Sequence, residues 1–218
     1  MLKFDDKDTW FDERVRGVKK AYKVTSDIKG VAVDVGANVG AFSYVNHNKF
    51  NKIIAIEPAQ ETFDKCVNNT SKFKNVSVYK YAVSNKSGET IRLYPFNEGG
   101  NVSGNATTVK NDITAKHYNF DVYEEIETIS LKDIYTKFEI DKINYLKIDC
   151  EGNEYDFLIG EDLQGIDYIA IEIHLHLGPN KIKELKDLID KTHVAISSFG
   201  NGVNSHFEIT YKNKNLID

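Results

Sequence analysis

A short apolar run that ends at a glycine-containing turn constrains the fold of this chain more than any other feature. Residues 31–35 read Val-Ala-Val-Asp-Val, and the next five residues place Gly36 and Gly40 four positions apart. A run this apolar is typical of a strand buried on both faces of a parallel sheet. A glycine directly after it permits a left-handed turn or a close ligand approach, and the amides that open the following helix favour an anionic group. The pattern predicts an α/β fold with a ligand crevice at the carboxyl end of this strand.

The glycine spacing discriminates among nucleotide-binding motifs. A dinucleotide fingerprint needs G-x-G-x-x-G, but Asn38 occupies the position of the middle glycine, and the chain contains no P-loop. The remaining pattern, Asp-x-Gly-x-x-x-Gly, suits S-adenosylmethionine, with Asp34 as acceptor for a cationic or hydroxyl group. Ser43 is predicted either to bind the ligand carboxylate or to cap the backbone, and a tight turn without a ligand is the alternative for the whole motif. The candidate cofactor-binding residues here are Asp34, Gly36, Ala37, Asn38, Gly40 and Ser43.

Two further stretches extend the predicted cofactor site. Residues 52–56 form another apolar run, which ends at Glu57, where folds of this kind place the acid that binds ribose hydroxyls. Residues 75–83 read as a third strand, and the turn that follows it is predicted to lie beside the adenine. We assign Ala82, Val83 and Ser84 to that pocket. An ordinary strand-end charge and an ordinary polar turn are the alternatives.

Two further apolar runs, later in the chain, carry polar residues at their carboxyl ends: acids in the first run and histidines in the second. Residues 143–148 lead into Asp149 and Glu151, and Lys147 is placed to act as the cation among these carboxylates. Residues 168–173 also read as a strand, and alternation along its carboxyl end puts Glu172 and His174 on one face. Three strands that end in acids point to one crevice along the carboxyl edge of the sheet. Polar residues that border a cleft without chemistry are the alternative for each position.

The remainder of the chain predicts one domain, residues 1–218, of ordinary globular composition. The formal charge of -5 argues against nucleic acid as the main partner, since that needs clustered Lys and Arg. The sequence shows neither a signal-peptide core nor a membrane span, so a cytoplasmic location is expected. Residues 8–28 read as an amphipathic helix, and the polar segment 97–119 reads as a lid over the substrate. Cys66 and Cys150 are expected to be reduced.

With these stretches identified, the sequence resembles the FkbM family of S-adenosylmethionine-dependent methyltransferases. The resemblance runs from about residue 29 to residue 176, and the Lys-x-Asp-x-Glu-Gly element is its most specific part. The segments that carry it are residues 33–40 with Ser43, 56–58, 81–84, 128–134, 146–154, and Glu172 with His174.

The resemblance implies a Rossmann-like class I methyltransferase sheet of about seven strands, the last antiparallel, with helices on both faces. It also implies O-methylation of a hydroxyl, because members of the family act on macrolides and on sugars in glycans. We therefore expect a small-molecule or glycan hydroxyl as the acceptor. The chain is also compatible with being part of a longer glycan-assembly enzyme. A nucleotide or sugar-nucleotide binding protein and an NAD-dependent oxidoreductase are the alternatives.

Methyl transfer to a sugar hydroxyl assigns roles to the acid cluster. Positioning supplies most of the catalysis, but an aliphatic hydroxyl still calls for a base, for which Asp149 and His174 are the candidates. Glu151 and Lys147 then shape the local charge, and Glu172 orients the imidazole or the sugar. The competing use of these groups is to hold a divalent metal ion, which neither the spacing nor the family motif demands.

Overall fold

The computed structural model describes residues 9–22, 24–25, 28–96, 106–199 and 206–217. Within these ranges the chain alternates strands and helices, as expected for an α/β protein. The helices are α1 (Thr9–Ala21), α2 (Ala41–Asn46), α3 (Gln60–Thr70), α4 (Leu131–Lys137), α5 (Glu154–Leu158) and α6 (Pro179–Thr192). The strands are β1 (Val31–Val35), β2 (Lys52–Ile56), β3 (Val76–Tyr79), β4 (Ala82–Val83), β5 (Thr90–Leu93), β6 (Glu124–Ile129), β7 (Ile143–Ile148), β8 (Ile166–His174), β9 (His193–Phe199) and β10 (His206–Asn213).

The main sheet has seven strands in the order β3-β2-β1-β7-β8-β10-β9. The pairs from β3 to β8 are parallel, and β10 runs antiparallel to both of its neighbours. The expected Rossmann-like methyltransferase sheet, with its last strand antiparallel, is confirmed. The chain moves outward from β1 to β3 and then returns beside β1 as β7, so the strand order reverses between β1 and β7. A ligand crevice opens at such a reversal in parallel sheets.

Side-chain alternation along the strands divides the apolar core between the two faces of the main sheet. Val33, Ile54 and Leu146 belong to a cluster that includes residues of α4, α5 and α6. Ala32 and Tyr145 point to the opposite face and pack with residues of α2 and of the segment that follows α1. The expected helices on both faces are therefore present, and the central strands are apolar throughout because both of their faces are covered.

The predicted third strand, residues 75–83, is wrong in extent. β3 ends at Tyr79 because its partner β2 ends at Ile56, the residue in register with Tyr79. The chain then leaves the main sheet, and β4 pairs with β6 in a second sheet of order β4-β6-β5. Ala82 and Val83 alternate in sequence as if they continued β3, but they lie in a different sheet.

The predicted helix over residues 8–28 is also too long, because α1 ends at Ala21. Beyond it, Tyr22, Val24 and Ile28 are buried against the sheet, and this packing replaces continued helix. In the predicted lid, residues 97–105 lie outside the described residues. Its remaining part carries a 3-10 turn at Thr114–Lys116 and pairs with the chain before it through the bridges Tyr94↔Thr107 and Phe96↔Tyr118. In the part of the chain that the structure describes, no helix combines the length and the apolar character needed to cross a membrane.

Gly36 joins the ends of the two strands that flank the crevice. Its φ of +67° is left-handed, and a Cβ at this position would lie 1.6 Å from the carbonyl oxygen of Asp149. The amide of Asp149 in turn donates to the carbonyl of Val35 (3.2 Å). The left-handed turn predicted for Gly36 is therefore confirmed, and the missing Cβ also allows the backbone after β1 to touch the backbone after β7, a contact that the sequence did not predict.

We expect Gly36→Ala to destabilise the protein far more than Gly88→Ala. Gly88 is also left-handed, with φ +76°, but a Cβ there meets nothing within 4 Å. Gly88→Ala should therefore cost only the conformational term, about 1–2 kcal/mol. Gly36→Ala should add roughly 1–3 kcal/mol for displacing the backbone at Asp149. Urea unfolding of both variants measures the difference, and equal losses would show that the contact with Asp149 is unimportant.

Candidate functional site

Two cavities open at the carboxyl edge of the main sheet. The larger has a volume of about 960 Å³ and extends from α1 to the ends of β8 and β10. The second is narrower and lies between the ends of β1 and β2 and the strand β4. Both are lined by Gly36, Asn38, Asp149 and Glu151, so they meet directly over the point where the strand order reverses.

The narrower cavity is built around the carboxylate of Glu57, which is 3% exposed. One carboxylate oxygen accepts from Thr62 Oγ1 (2.6 Å) and from the Ala59 amide (3.1 Å), and the other accepts from the Asn38 amide (2.8 Å). Burial raises the pKa of Glu57, although these donors oppose the rise. Ala82 and Val83 also line this cavity. The structure thus brings together the residues predicted for the ribose and the adenine, with one exception.

The exception is Ser84, which lines a separate polar cavity on the far side of β4. Its amide donates to the carbonyl of Ile129 (3.1 Å), which continues the pairing of β4 with β6. Thr108 and Asn153 line both this polar cavity and the narrower cavity, so they separate the two. Asn153 is bonded to both sides. Its side chain donates to the carbonyl of Val83 (2.9 Å) and accepts from Thr108 Oγ1 (2.6 Å).

Asp34 and Ser43 do not reach either of the two meeting cavities. Both are 0% exposed, and Ser43 Oγ donates to Asp34 Oδ2 (2.8 Å). Asp34 Oδ1 lies 3.3 Å from Lys147 Nζ. The sequence predicted a ligand contact for Asp34 and either a ligand contact or a backbone cap for Ser43, but in the structure these side chains form a buried network with Lys147. Gly40 lies apart as well, because a Cβ there would meet Cys66 Sγ at 2.9 Å, which places it against α3.

Lys147 is the cation of this network. Its ammonium group donates to the carbonyls of Val35 (3.0 Å) and Gly36 (2.6 Å), and it lies 3.8 Å from Asp149 Oδ2. Burial alone would lower the pKa of Lys147, but Asp34 and Asp149 raise it above its ordinary value. Lys147 therefore stays charged and binds the end of β1 to the end of β7.

Asp149 is the acid placed between the two cavities. Its side chain is 29% exposed and lines both of them. Glu151 follows with a left-handed φ of +52°, and its carbonyl accepts from Thr107 Oγ1 (2.6 Å). The part of the predicted lid that the structure describes is thus hydrogen-bonded to the acid loop, by which we mean residues 149–154. Tyr118, from the same part, lines the larger cavity, and burial followed by the nearby Glu151 raises the pKa of its hydroxyl.

His174 is 3% exposed and lies among carboxylates. Its Nδ1 is 2.8 Å from Glu154 Oε1, and its Nε2 is 3.3 Å from Glu151 Oε2 and 3.5 Å from Glu172 Oε1. Burial lowers the pKa of His174, but Glu154 and Glu151 outweigh that effect and raise it well above its ordinary value. The imidazole is therefore protonated and unsuited to accept another proton.

The surroundings of Glu172 also favour its protonated form, which for a carboxyl group is the neutral one. Burial first and the neighbouring Asp149 second raise the pKa of Glu172 well above its usual range, despite the opposing effect of His174. The carboxylate of Glu172 also lies 3.2 Å from His206 Nδ1. Glu172 therefore retains its proton more readily than an ordinary carboxyl group.

Sequence reasoning missed several residues of this site. His206 and Glu208 reach the larger cavity because β10 pairs with β8 so that His206 faces His174 and Glu208 faces Glu172. No pattern in the sequence specifies that register. Glu154 stood within the acid-rich motif, but nothing in the sequence showed that its carboxylate would be buried against His174.

Known proteins resemble this chain in sequence and in fold. The hexuronic acid methyltransferase AglP of Haloferax volcanii is 28% identical over 155 residues, which cover 70% of this chain and 59% of AglP. The chain thus spans less than two thirds of the length of that relative. Two solved structures share the fold with a TM-score of 0.50. One is the fibrillarin pre-rRNA processing protein of Methanococcus jannaschii (11% identity, 88% of this chain, 70% of that one). The other is a fibrillarin/Nop5p complex (10% identity, 92% of this chain, 82% of that one).

A match to a protein-family model establishes the family of this chain. The model described as the methyltransferase FkbM domain matches residues 34–201, well over half of the chain. The match begins at Asp34 in the glycine motif and includes the acid loop and the strand that carries His174. The resemblance seen in the sequence motifs is thereby confirmed, and the chain belongs to the FkbM methyltransferase domain family.

Proposed function

We propose that this protein transfers the methyl group of S-adenosylmethionine to a hydroxyl group of a sugar in a glycan or glycosylated product. One observation carries the proposal: a narrow cavity of nucleoside-binding character and a wide cavity meet at Gly36, Asn38, Asp149 and Glu151. A methyl donor bound in the first would present its sulfonium to an acceptor bound in the second. Membership of the FkbM family supports this assignment.

The narrower cavity suits the adenosine part of the cofactor. Glu57 Oε2 accepts one hydrogen bond, from the Asn38 amide, so it retains capacity for a ribose hydroxyl. Ala82 and Val83 supply apolar contacts for the adenine. The methionine part would lie over residues 36–38, where Asn38 holds a left-handed φ of +52°. Asp34, Ser43 and Gly40 support this turn from beneath without touching the ligand.

The wider cavity suits a sugar. Aromatic side chains can pack against the apolar faces of a sugar ring, while carboxylates accept hydrogen bonds from its hydroxyls. The aromatic residues that line the cavity include Tyr22, Phe96, His117, Tyr118 and Phe199, and its acids include Asp149, Glu151, Glu172 and Glu208. The relative AglP is named for hexuronic acid methylation, which supports a sugar acceptor in this chain too.

Asp149 is the residue we assign as the base. It borders both cavities and is the most exposed of the carboxylates near Lys147, whereas the protonated His174 has both ring nitrogens close to acids. In the proposed step the acceptor oxygen attacks the methyl carbon as its proton passes to Asp149. The carbon–sulfur bond breaks, and its electron pair stays on sulfur to give S-adenosylhomocysteine. Lys147 and Glu151 set the charge around Asp149, and Glu172 orients the acceptor.

The test of this function is calorimetric titration of the protein with S-adenosylmethionine, S-adenosylhomocysteine and NAD. We expect micromolar dissociation constants for the two sulfur compounds, about -8 kcal/mol, and much weaker binding of NAD. Transfer of a labelled methyl group to hexuronic-acid and neutral glycans would then identify the acceptor. Binding of NAD without either sulfur compound would overturn the proposal, and binding of all three without transfer would favour a nucleotide-binding protein.

Glu57→Gln should weaken binding of S-adenosylhomocysteine by about 1–3 kcal/mol, because an amide places a donor where the carboxylate accepts hydrogen bonds. The control is Glu61→Gln on α3, whose side chain is 46% exposed and pairs with Lys65. Calorimetry should find that the control binds as tightly as the parent protein. Thermal unfolding of both variants separates a loss of affinity from a loss of folded protein. Equal affinities for the two variants would remove Glu57 from the cofactor site.

Asp149→Asn should lower kcat by about 10²- to 10⁴-fold, the contribution expected of a general base, with little change in cofactor affinity. The matched control is Asp141→Asn, which changes an exposed acid just before β7, at the opposite edge of the sheet. Single-turnover methyl transfer from saturating S-adenosylmethionine measures the step directly. If Asp149→Asn turns over at the parent rate, then Asp149 is not the base.

A further inference from the structure

We propose that Glu172, His174 and His206 bind a divalent transition-metal ion on the wall of the wider cavity. Their ligand atoms lie within 4.8 Å of one another. Glu172 Oε1 is 3.5 Å from His174 Nε2 and 3.2 Å from His206 Nδ1. All three residues line the cavity in which we place the acceptor, so a bound ion would keep positions open toward that space.

These separations match the edges of a coordination polyhedron. Nitrogen and oxygen ligands at about 2.0–2.2 Å from a metal are roughly 3.0–3.5 Å apart, depending on whether the ligand angle is octahedral or tetrahedral. The two distances that involve Glu172 are of this size. Asp149 and Glu151 form a second compact group with the same His174, and Glu151 Oε2 is 3.3 Å from its Nε2. Further oxygen ligands are therefore at hand on one side of the ion.

The surroundings of His174 are those of a metal ligand. Histidines that bind metals usually donate their other ring N–H to a carboxylate or a carbonyl, which fixes the ring and its tautomer. His174 has this arrangement, because its Nδ1 is 2.8 Å from the fully buried Glu154 and its Nε2 faces the cluster. A bound ion would displace the proton that Nε2 otherwise carries and the proton that Glu172 otherwise retains. Glu154 Oε1 is itself held by the amides of Gly152 (3.1 Å) and Cys150 (3.3 Å). The orientation of the imidazole is therefore set independently of Glu172 and His206.

The charge around the cluster also favours a cation. Carboxylates converge on it from the ends of three strands and from α5, while the basic residues that line the same cavity are Lys147 and, on α1, Arg14 and Lys20. The acids are Asp149 and Glu151 after β7, Glu172 on β8, Glu208 on β10 and Glu154 on α5. A divalent ion would relieve the mutual repulsion of these groups. The mixture of imidazole and carboxylate suits manganese, iron, cobalt, nickel or zinc better than magnesium or calcium.

The role of the ion rests on the proposed function, although its binding does not. An ion beside Asp149 would draw electron density from an acceptor hydroxyl and ease its deprotonation. Glu172 and His174 would then serve as ligands, a use that the sequence alone made only an alternative. His206 is the additional ligand that the pairing of β10 with β8 supplies.

The experiment measures metal binding by the whole chain after treatment with a chelator. We expect about one equivalent of Mn²⁺ by calorimetry and a visible absorption band on addition of Co²⁺, with weaker binding of Mg²⁺. His206→Ala and Glu172→Gln should each weaken Mn²⁺ binding at least tenfold, as should Glu154→Gln, which alters the support of His174. His117→Ala is the control, since this histidine lines the same cavity outside the cluster.

Binding of S-adenosylhomocysteine to the same samples separates the two proposals. Cofactor binding without stoichiometric Mn²⁺ or Co²⁺ binding would overturn the metal site and leave the methyltransferase assignment intact. Metal binding without cofactor binding would overturn the assignment and leave the site. Metal affinity that is unchanged in both His206→Ala and Glu172→Gln would show that the ion binds elsewhere. His206 is partly exposed, so its variant should fold even if Glu172→Gln does not.

Discussion

The buried ammonium group of Lys147 is the interaction on which the rest of the site depends. An isolated lysine in a protein interior would lose its proton, because burial disfavours the charged form. Here two backbone carbonyls at the end of β1 accept from it, and Asp34, in register with it on β1, balances its charge. Loss of one partner from such a buried pair typically costs about 3–5 kcal/mol. These partners all join β1 to β7, so any rearrangement of this junction would lose at least one of them. The junction is therefore held in a single geometry.

From that junction the acids acquire different roles. Asp34 is fully buried and pairs with Lys147, whereas Asp149, the residue that follows β7, is partly exposed at the border of both cavities. Glu154 is buried and ionised against His174, which lowers its pKa despite its burial. Glu172 is also largely buried but faces other acids, so its pKa rises. The same functional group is thus a structural anion, a candidate base or a candidate ligand, depending on which element presents it.

Much of the fold could be predicted from the sequence because buried parallel strands appear there as continuous apolar runs. The runs that became β1, β2 and β7 are apolar and end in acids, and this pattern alone places their carboxyl ends at one edge of the sheet. Where the chain leaves the sheet could not be predicted. Alternation continues from Tyr79 to Val83, but β2 offers no partner beyond Ile56, and the chain joins β6 instead. A local pattern reports side-chain direction, while the length of a strand depends on its neighbour.

The candidate site shows the same limit of sequence-based prediction more clearly than the fold does. Local spacing placed Asp149, Glu151, Glu172 and His174 near one another, but it could not tell whether Asp34 faces a ligand or a lysine, because that depends on a contact between β1 and β7. The place of His206 in the site is still harder to predict from local spacing. It arrives through an antiparallel strand whose register with β8 places it opposite His174, and a shift of that register by one residue would turn it to the other face. The antiparallel strand that completes the sheet therefore also completes the charge cluster, because it supplies His206 to the acids that surround His174.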